Sequence, residues 1–148
     1  MNELYASLSP AVRDELSKYE EEILVPEGTT LISRSVAPEH VIVLQQGAVE
    51  ISVPAGDKVL PLSIAHSGKV LGLRAIIAGA LPEIEVRTVE ECKILRIPKE
   101  SFLEVLKQHP ELYFAISKVL SADLNVAERF LRDIPRSAGK ERVACRTG

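Results

Sequence analysis

Apolar positions change period along the chain, and the changes divide it. In residues 2–18, Leu8, Val12 and Leu16 recur at helical spacing behind Ser9-Pro10. That pair starts a helix, with serine as cap and proline in the first turn. Short amphipathic helices laid on the domain as a lid are expected here. From Glu22 the period becomes two. Ile23-Leu24-Val25 runs into the turn signal Pro26-Glu27-Gly28, and Thr29-Thr30-Leu31-Ile32 follows. Val41-Ile42-Val43-Leu44 reads as a buried strand closed by Gln45-Gln46-Gly47. Val49, Ile51 and Val53 alternate with polar or small residues, so that strand shows one face to a core. Pro54-Ala55-Gly56-Asp57 turns the chain into a second alternating run, Val59 to Ile64. Ile84 to Val89 and Lys93 to Ile97 complete the set before Pro98. About seven or eight short strands with frequent turns predict a mainly β domain with flanking helices, folded as a closed sandwich or jelly roll.

The last long segment, Pro110 to Ile134, has no internal Gly or Pro and predicts a helix of about six or seven turns. Tyr113, Leu120, Ala127 and Ile134 recur every seven residues. Ser117, Leu124 and Leu131 fill the other position, making a coiled-coil seam with one polar interruption. A second set, Leu112, Ile116, Val119, Val126 and Phe130, lies on a neighbouring face. A helix on one globular surface needs a single apolar stripe. Two stripes predict a helix packed on its own domain and on a symmetry mate, a homodimer through Tyr113, Leu120, Leu124, Ala127, Leu131 and Ile134. One broad face buried in a monomer is the alternative.

Composition narrows the function classes. The chain has 148 residues, 46% hydrophobic and 26% charged, as in an ordinary globular domain. A net charge of −3 makes no electrostatic case for nucleic acid or an anionic membrane. No apolar run approaches the roughly 20 residues needed to span a bilayer. The opening MNELYASLSP lacks the regions of a signal peptide, so a cytoplasmic protein is expected. Cys92 and Cys145 form no CxxC, and Cys92 is expected as a buried strand residue. There is no Ser-His-Asp or Cys-His signature, no HExxH and no P-loop, so no catalytic residue is assigned and no enzyme is expected. His66 reads as an exposed turn residue and not as a haem or metal ligand. No metal and no cofactor are assigned.

One stretch, Gly68 to Cys92, carries the candidate chemistry. A Gly-x-x-x-Gly pair opens it, a short apolar run follows, and Gly79-Ala80-Leu81-Pro82 turns into the run from Ile84 to Val89. A glycine-flanked helical turn between two strands can aim backbone N–H groups at an anion. The layout resembles the phosphate-binding cassette of the cyclic-nucleotide-binding domain, as in the CRP/FNR family of bacterial regulators. Pro26 to Leu31 is similar to that family's opening Pro-x-Gly-x-x-Leu, and Pro38 to Val49 to its strand-turn-strand with glycine at the hairpin. Glu90 to Pro98 and Phe102 to Leu106 resemble its last strand and following helix, and His109-Pro110-Glu111-Leu112 the start of its long helix. The resemblance implies a double-stranded β-helix, or jelly roll, over residues 20–109 behind a helical segment at 1–19. It also implies a dimerisation helix at 110–134 and a tail at 135–148. In that tail, Ser137 to Ala144 looks like the first turns of the family's DNA-binding region. Too few residues follow for a helix-turn-helix, so no direct nucleic-acid binding by this chain is expected.

The same resemblance exposes a departure. The family pattern reads Phe-Gly-Glu-Leu-Ala-Leu, a short turn, then Pro-Arg-Ser-Ala-Thr-Val-Arg-Ala. Without a gap, Gly72 takes the glycine, Val86 the valine and Arg87 the arginine after it. Leu73 then stands where the family has its ribose-binding glutamate, Pro82 where it has its phosphate-binding arginine, and Glu83 at the neighbouring serine. Shifting by one residue puts Glu83 at the arginine instead. Neither register supplies the cation. A degenerate cassette of Gly72, Leu73, Arg74, Pro82, Glu83 and Arg87 is therefore expected to keep the shape and lose the chemistry. Arg74 and Arg87 are expected at the surface, paired with Glu83, Glu85 or Glu90. The alternative is an anion on the backbone of Leu71 to Ala75 with one of these arginines nearby. The resemblance implies a ligand-sensing domain in signalling or transcriptional control, its small-molecule ligand unidentified and cyclic AMP bound weakly or not at all. A true cyclic-nucleotide receptor with substitute cations and a ligand-free structural dimer are its rivals.

Overall fold

A computed structural model describes the backbone of residues 2–132 and the side chains of residues 2–122. The period-two segments become β1 (Glu21–Val25), β2 (Thr30–Ile32), β3 (His40–Gln46), β4 (Val49–Ala55), β5 (Lys58–Ala65), β7 (Glu85–Thr88) and β8 (Cys92–Pro98). An eighth, β6 (Val70–Leu71), is too short to show alternation. Two antiparallel four-stranded sheets result, ordered β1-β8-β3-β6 and β2-β7-β4-β5. The chain crosses from one sheet to the other at every connection except β4–β5, which closes the double-sheet roll.

Strand β3 shows why one sheet lies at the centre. Val41, Ile42, Val43 and Leu44 are all at most 7% exposed. Val41 and Val43 pack with the helices, while Ile42 and Leu44 join Ile94, Ile32, Val49 and Val86 inside the roll. A sheet covered on both faces reads as a continuous apolar run because neither face meets water. Strand β5 departs from the expected alternation. Val59, Leu60 and Ile64 are exposed by 51%, 40% and 48%. The register slips by one residue at Leu62, between the pairs Ile51–Ser63 and Ser52–Pro61. Such a bulge resets the facing of the strand. Pro61, lacking an N–H, is tolerated because β5 is an edge.

The lid forms as a 3-10 turn, Tyr5–Ser7, and a helix α1, Pro10–Ser17. Leu4, Leu8, Val12 and Leu16 are buried in the helix-side core, each contributing about 1.5–3 kcal/mol over exposure. Ser9 stands at the N-cap, but its side chain makes no capping bond. Its backbone N–H donates to Glu111 Oε1 at 2.8 Å, tying the lid to the last helix. At the other end, Val70 N–H donates to Glu3 Oε2 at 2.7 Å. The Tyr5 hydroxyl donates to the Glu20 carboxylate.

Helix α2 spans Leu73–Ala78, α3 Lys99–Gln108 and α4 Glu111–Arg132. Leu112, Ile116 and Val119 of the second stripe are buried against the domain, with Ala115 between them. Tyr113 of the proposed seam is 54% exposed. Ser117 is exposed too, its hydroxyl donating to the Tyr113 carbonyl. Leu120 is only partly free, because it also packs on the helix-side core. Phe114, which the heptad pattern overlooked, is 62% exposed with Lys118 Nζ 5.1 Å from its ring centre. The side chains of Leu124, Val126, Ala127, Phe130 and Leu131 lie outside the described residues, as do Ile134, Cys145 and the tail.

Candidate functional site

The cassette runs β6–Gly72–α2–loop–β7. Gly72 caps α2 at φ 89°, in the left-handed region. A β-carbon there would come within 3.2 Å of His40 O and 3.5 Å of Ile32 Cδ1. Both the conformation and the close approach to β3 require glycine. The left-handed turn sets the phase of α2. Leu73, Ala75 and Ile76 are 2%, 7% and 5% exposed, and Arg74 points to solvent. Leu73 belongs to the helix-side core with Val70, Ile76 and Leu112, not to the roll interior.

Past α2, Pro82 is half-buried and Glu83 exposed. On β7, Val86 and Thr88 are buried at 0% and 2%, so Arg87 between them faces outward. It stands opposite Glu50 of β4 and Thr30 of β2. Thr88 is satisfied internally: its hydroxyl donates to Pro26 O at 2.8 Å and accepts Thr29 N–H at 2.8 Å. The pairing expected of Arg74 and Arg87 with Glu83, Glu85 or Glu90 does not form: among the described residues no ion pair joins them. Exposed pairs of this kind gain only about 0–1 kcal/mol, too little to hold two long side chains in place. Gly72 and Leu73 thus meet the rest of the fold, while Arg74, Glu83 and Arg87 sit at its surface and carry no positive charge into the roll.

Other candidates resolve simply. His66 is exposed in the turn before β6. Among the described residues no three His, Cys, Asp or Glu side chains group to hold a metal, and no helix is long and apolar enough to cross a membrane. Cys92 is 1% exposed, its thiol directed at Ala48 O (3.4 Å) and Glu90 O (3.3 Å). Burial pushes its pKa up, which disfavours the reactive thiolate. Gly47 lets this thiol sit close, since a β-carbon there would lie 2.6 Å from Cys92 Sγ.

A concavity of about 250 Å³ opens elsewhere, between edge strands β1 and β2. Its walls come from residues 23–42, over β1, β2, β3 and the loops between them, and from Ile94 and Arg96 of β8, which only the sheet pairing brings alongside.

Comparison with known proteins bears on this geometry. The family model "Cyclic nucleotide-binding domain" matches residues 22–109. No curated protein matches the sequence. In structure the chain is similar to the catabolite activator protein of Thermus thermophilus (TM-score 0.75, 18% identity), covering 88% of this chain and 62% of that one. It is also similar to a CooA variant from Carboxydothermus hydrogenoformans (TM-score 0.71, 17% identity), covering 97% of this chain and 92% of that one. The sensor domain of the transcriptional regulator DNR from Pseudomonas aeruginosa aligns at TM-score 0.67 and 17% identity, over 83% of this chain and 88% of that one. At these identities the likeness concerns the fold. The chain spans 62% of the length of the Thermus protein, less than two thirds.

Proposed function

The chain belongs to the cyclic nucleotide-binding domain family, and from that premise we propose that it is a CRP/FNR-type ligand-sensing domain whose own cassette does not hold a cyclic nucleotide tightly. It acts in the cytoplasm, in signalling or transcriptional control, by binding and not by catalysis. The observation that carries this reading is the placement of the cassette side chains. Leu73 is buried on the helix side and Arg87 faces outward, and by the sequence resemblance Pro82, or Glu83 in the shifted register, stands where the family has its phosphate-binding arginine. A charge-assisted hydrogen bond to an anion contributes about 1.5–3 kcal/mol. Without both the arginine and the glutamate, roughly 3–6 kcal/mol is missing, about two to four decades of affinity. Glu83 adds a negative charge where the phosphate would arrive.

Output through α4 fits its two-sided character. Leu112, Ile116 and Val119 are buried on one side and Tyr113 and Phe114 exposed on another, which supports a homodimer with a second copy. A ligand shifts such a dimer between two helix packings only by its differential affinity for them. Calorimetry with cyclic AMP and cyclic GMP, run beside light scattering, tests the reading. No heat beyond dilution and a dimer mass at micromolar protein are expected. A micromolar or tighter dissociation constant for either nucleotide overturns the degenerate cassette, and a monomer mass overturns the dimer.

A further inference from the structure

Strands β1 and β2 are the outer edges of their two sheets, with a partner on one side only. Between them the sheets part and leave a cleft of about 250 Å³. Its apolar wall includes Ile23 and Val25 of β1, Ile32 of β2, Ile42 of β3 and Ile94 of β8, with Thr29 and Thr30 also in the lining. Ile32, Ile42 and Ile94 belong to the roll's interior core, so the cleft opens that core to solvent. Ile23 and Val25 remain only half-buried beside it. We propose that this cleft, and not the cassette, is the effector site, and that it takes a small neutral apolar molecule the size of one or two aromatic rings. The proposal rests on the sensor reading above and adds to it the ligand class and its place.

Size, charge and position support the assignment. A dry apolar cavity of about 150 Å³ already accepts benzene, and ligand pockets start near roughly 300 Å³. The volume here falls between the two. At the mouth stand Glu39, His40 and Arg96. Arg96 is already held by the Glu21 carboxylate, with Nε at 3.2 Å, so its positive charge is balanced outside the cleft. The charge left over is that of Glu39, which is exposed to solvent where its field is screened, while the aliphatic walls favour any apolar surface they can cover. The cleft also shares a wall with the cassette. Ile32, Pro38 and His40, which line it, are the residues a β-carbon on Gly72 would meet, at 3.5, 3.8 and 3.2 Å. A molecule in the cleft therefore presses on the contacts that set the first turn of α2, and α2 packs against α4. Pro82, Glu83 and Arg87 take no part in it.

The test is a titration of the ¹⁵N-labelled full chain with indole, with benzoate and benzylamine as charged comparisons. Saturable amide shifts at Ile32, Ile42, Ile94 and Gly72 are expected, with a dissociation constant of about 0.1–1 mM for so few atoms. Val25→Phe fills the cleft and should weaken indole at least about tenfold. Leu24→Phe, at a 64% exposed position on the same strand, should not. Should Val25→Phe fail to fold, Ile23→Phe fills the same space; should both fail, the wild-type shift map decides. No saturable shift up to the solubility of indole, or shifts confined elsewhere, overturns the site, as does a folded filled variant that binds like wild type. Equal binding of benzoate or benzylamine overturns the neutral class. Cyclic AMP shifting residues 82–87 would overturn the cassette reading while leaving the indole result to judge the cleft.

Discussion

Leu73 is where the sequence alignment and the packing make opposite demands, and Leu73→Glu separates them. On the alignment, glutamate here restores the ribose contact. In the structure, Leu73 is 2% exposed among Val70, Ile76, Leu112 and Ile116 on the helix side. The substitution gives up about 1.5–3 kcal/mol of apolar burial. It also leaves a carboxylate without a buried cation, costing about 3–5 kcal/mol more unless the group protonates or swings out. The sum, roughly 4.5–8 kcal/mol, is a large share of the 5–15 kcal/mol that holds a domain of this size. Leu73→Met, which conserves volume, should cost under about 1.5 kcal/mol. Urea unfolding followed by far-ultraviolet circular dichroism is the assay, since the chain has no tryptophan. The pH dependence has a definite sign. A buried glutamate has a raised folded-state pKa. Its penalty is therefore full at neutral pH and shrinks as pH falls through that raised value toward the unfolded one. A loss below about 1 kcal/mol at pH 7, with no relief on acidification, would refute the packing argument and return Leu73 to the roll side. Any attempt to rebuild nucleotide chemistry should accordingly start from Pro82→Arg/Glu83→Ser and leave Leu73 in place.

Gly72→Ala places a side chain at φ 89° and 3.2 Å from His40 O. A loss of about 1–3 kcal/mol in urea unfolding is expected, and unchanged stability would remove the case for an obligatory glycine. At Tyr5, burial first, and then the Glu20 carboxylate that accepts its hydrogen bond, holds the phenol pKa far above the ordinary range. A raised folded-state pKa means stability is intact below the unfolded value of about 10 and is lost as pH rises past it. Tyr5→Phe should cost about 0.5–1.5 kcal/mol at pH 7 yet flatten the alkaline decline, and parallel wild-type and variant curves from pH 8 to 11 would contradict this.

Much of the fold was legible in local pattern. Seven of the eight described strands were marked as short apolar or alternating runs, such as Val41 to Leu44 and Val49 to Val53, because a strand covered on two faces is apolar throughout and one covered on a single face repeats every two residues. The lid leucines and the Leu112, Ile116 and Val119 stripe were readable for the same reason at helical period. That neither residue 82 nor residue 83 is an arginine was visible too, since Pro82 and Glu83 need no coordinates to be read. What the pattern could not decide was direction. Whether Arg87 faces in or out depends on its pairing with Glu50 and Thr30, on strands far from it in sequence. Leu73 turned to the helix side because Gly72 adopts a left-handed turn against His40. Leu120, expected in the seam, packs partly on the helix-side core. The β1–β2 cleft exists only because two edges from different sheets end side by side. Periodicity reports that a residue is covered. Which layer covers it is set by long-range register and by where the chain crosses from one sheet to the other.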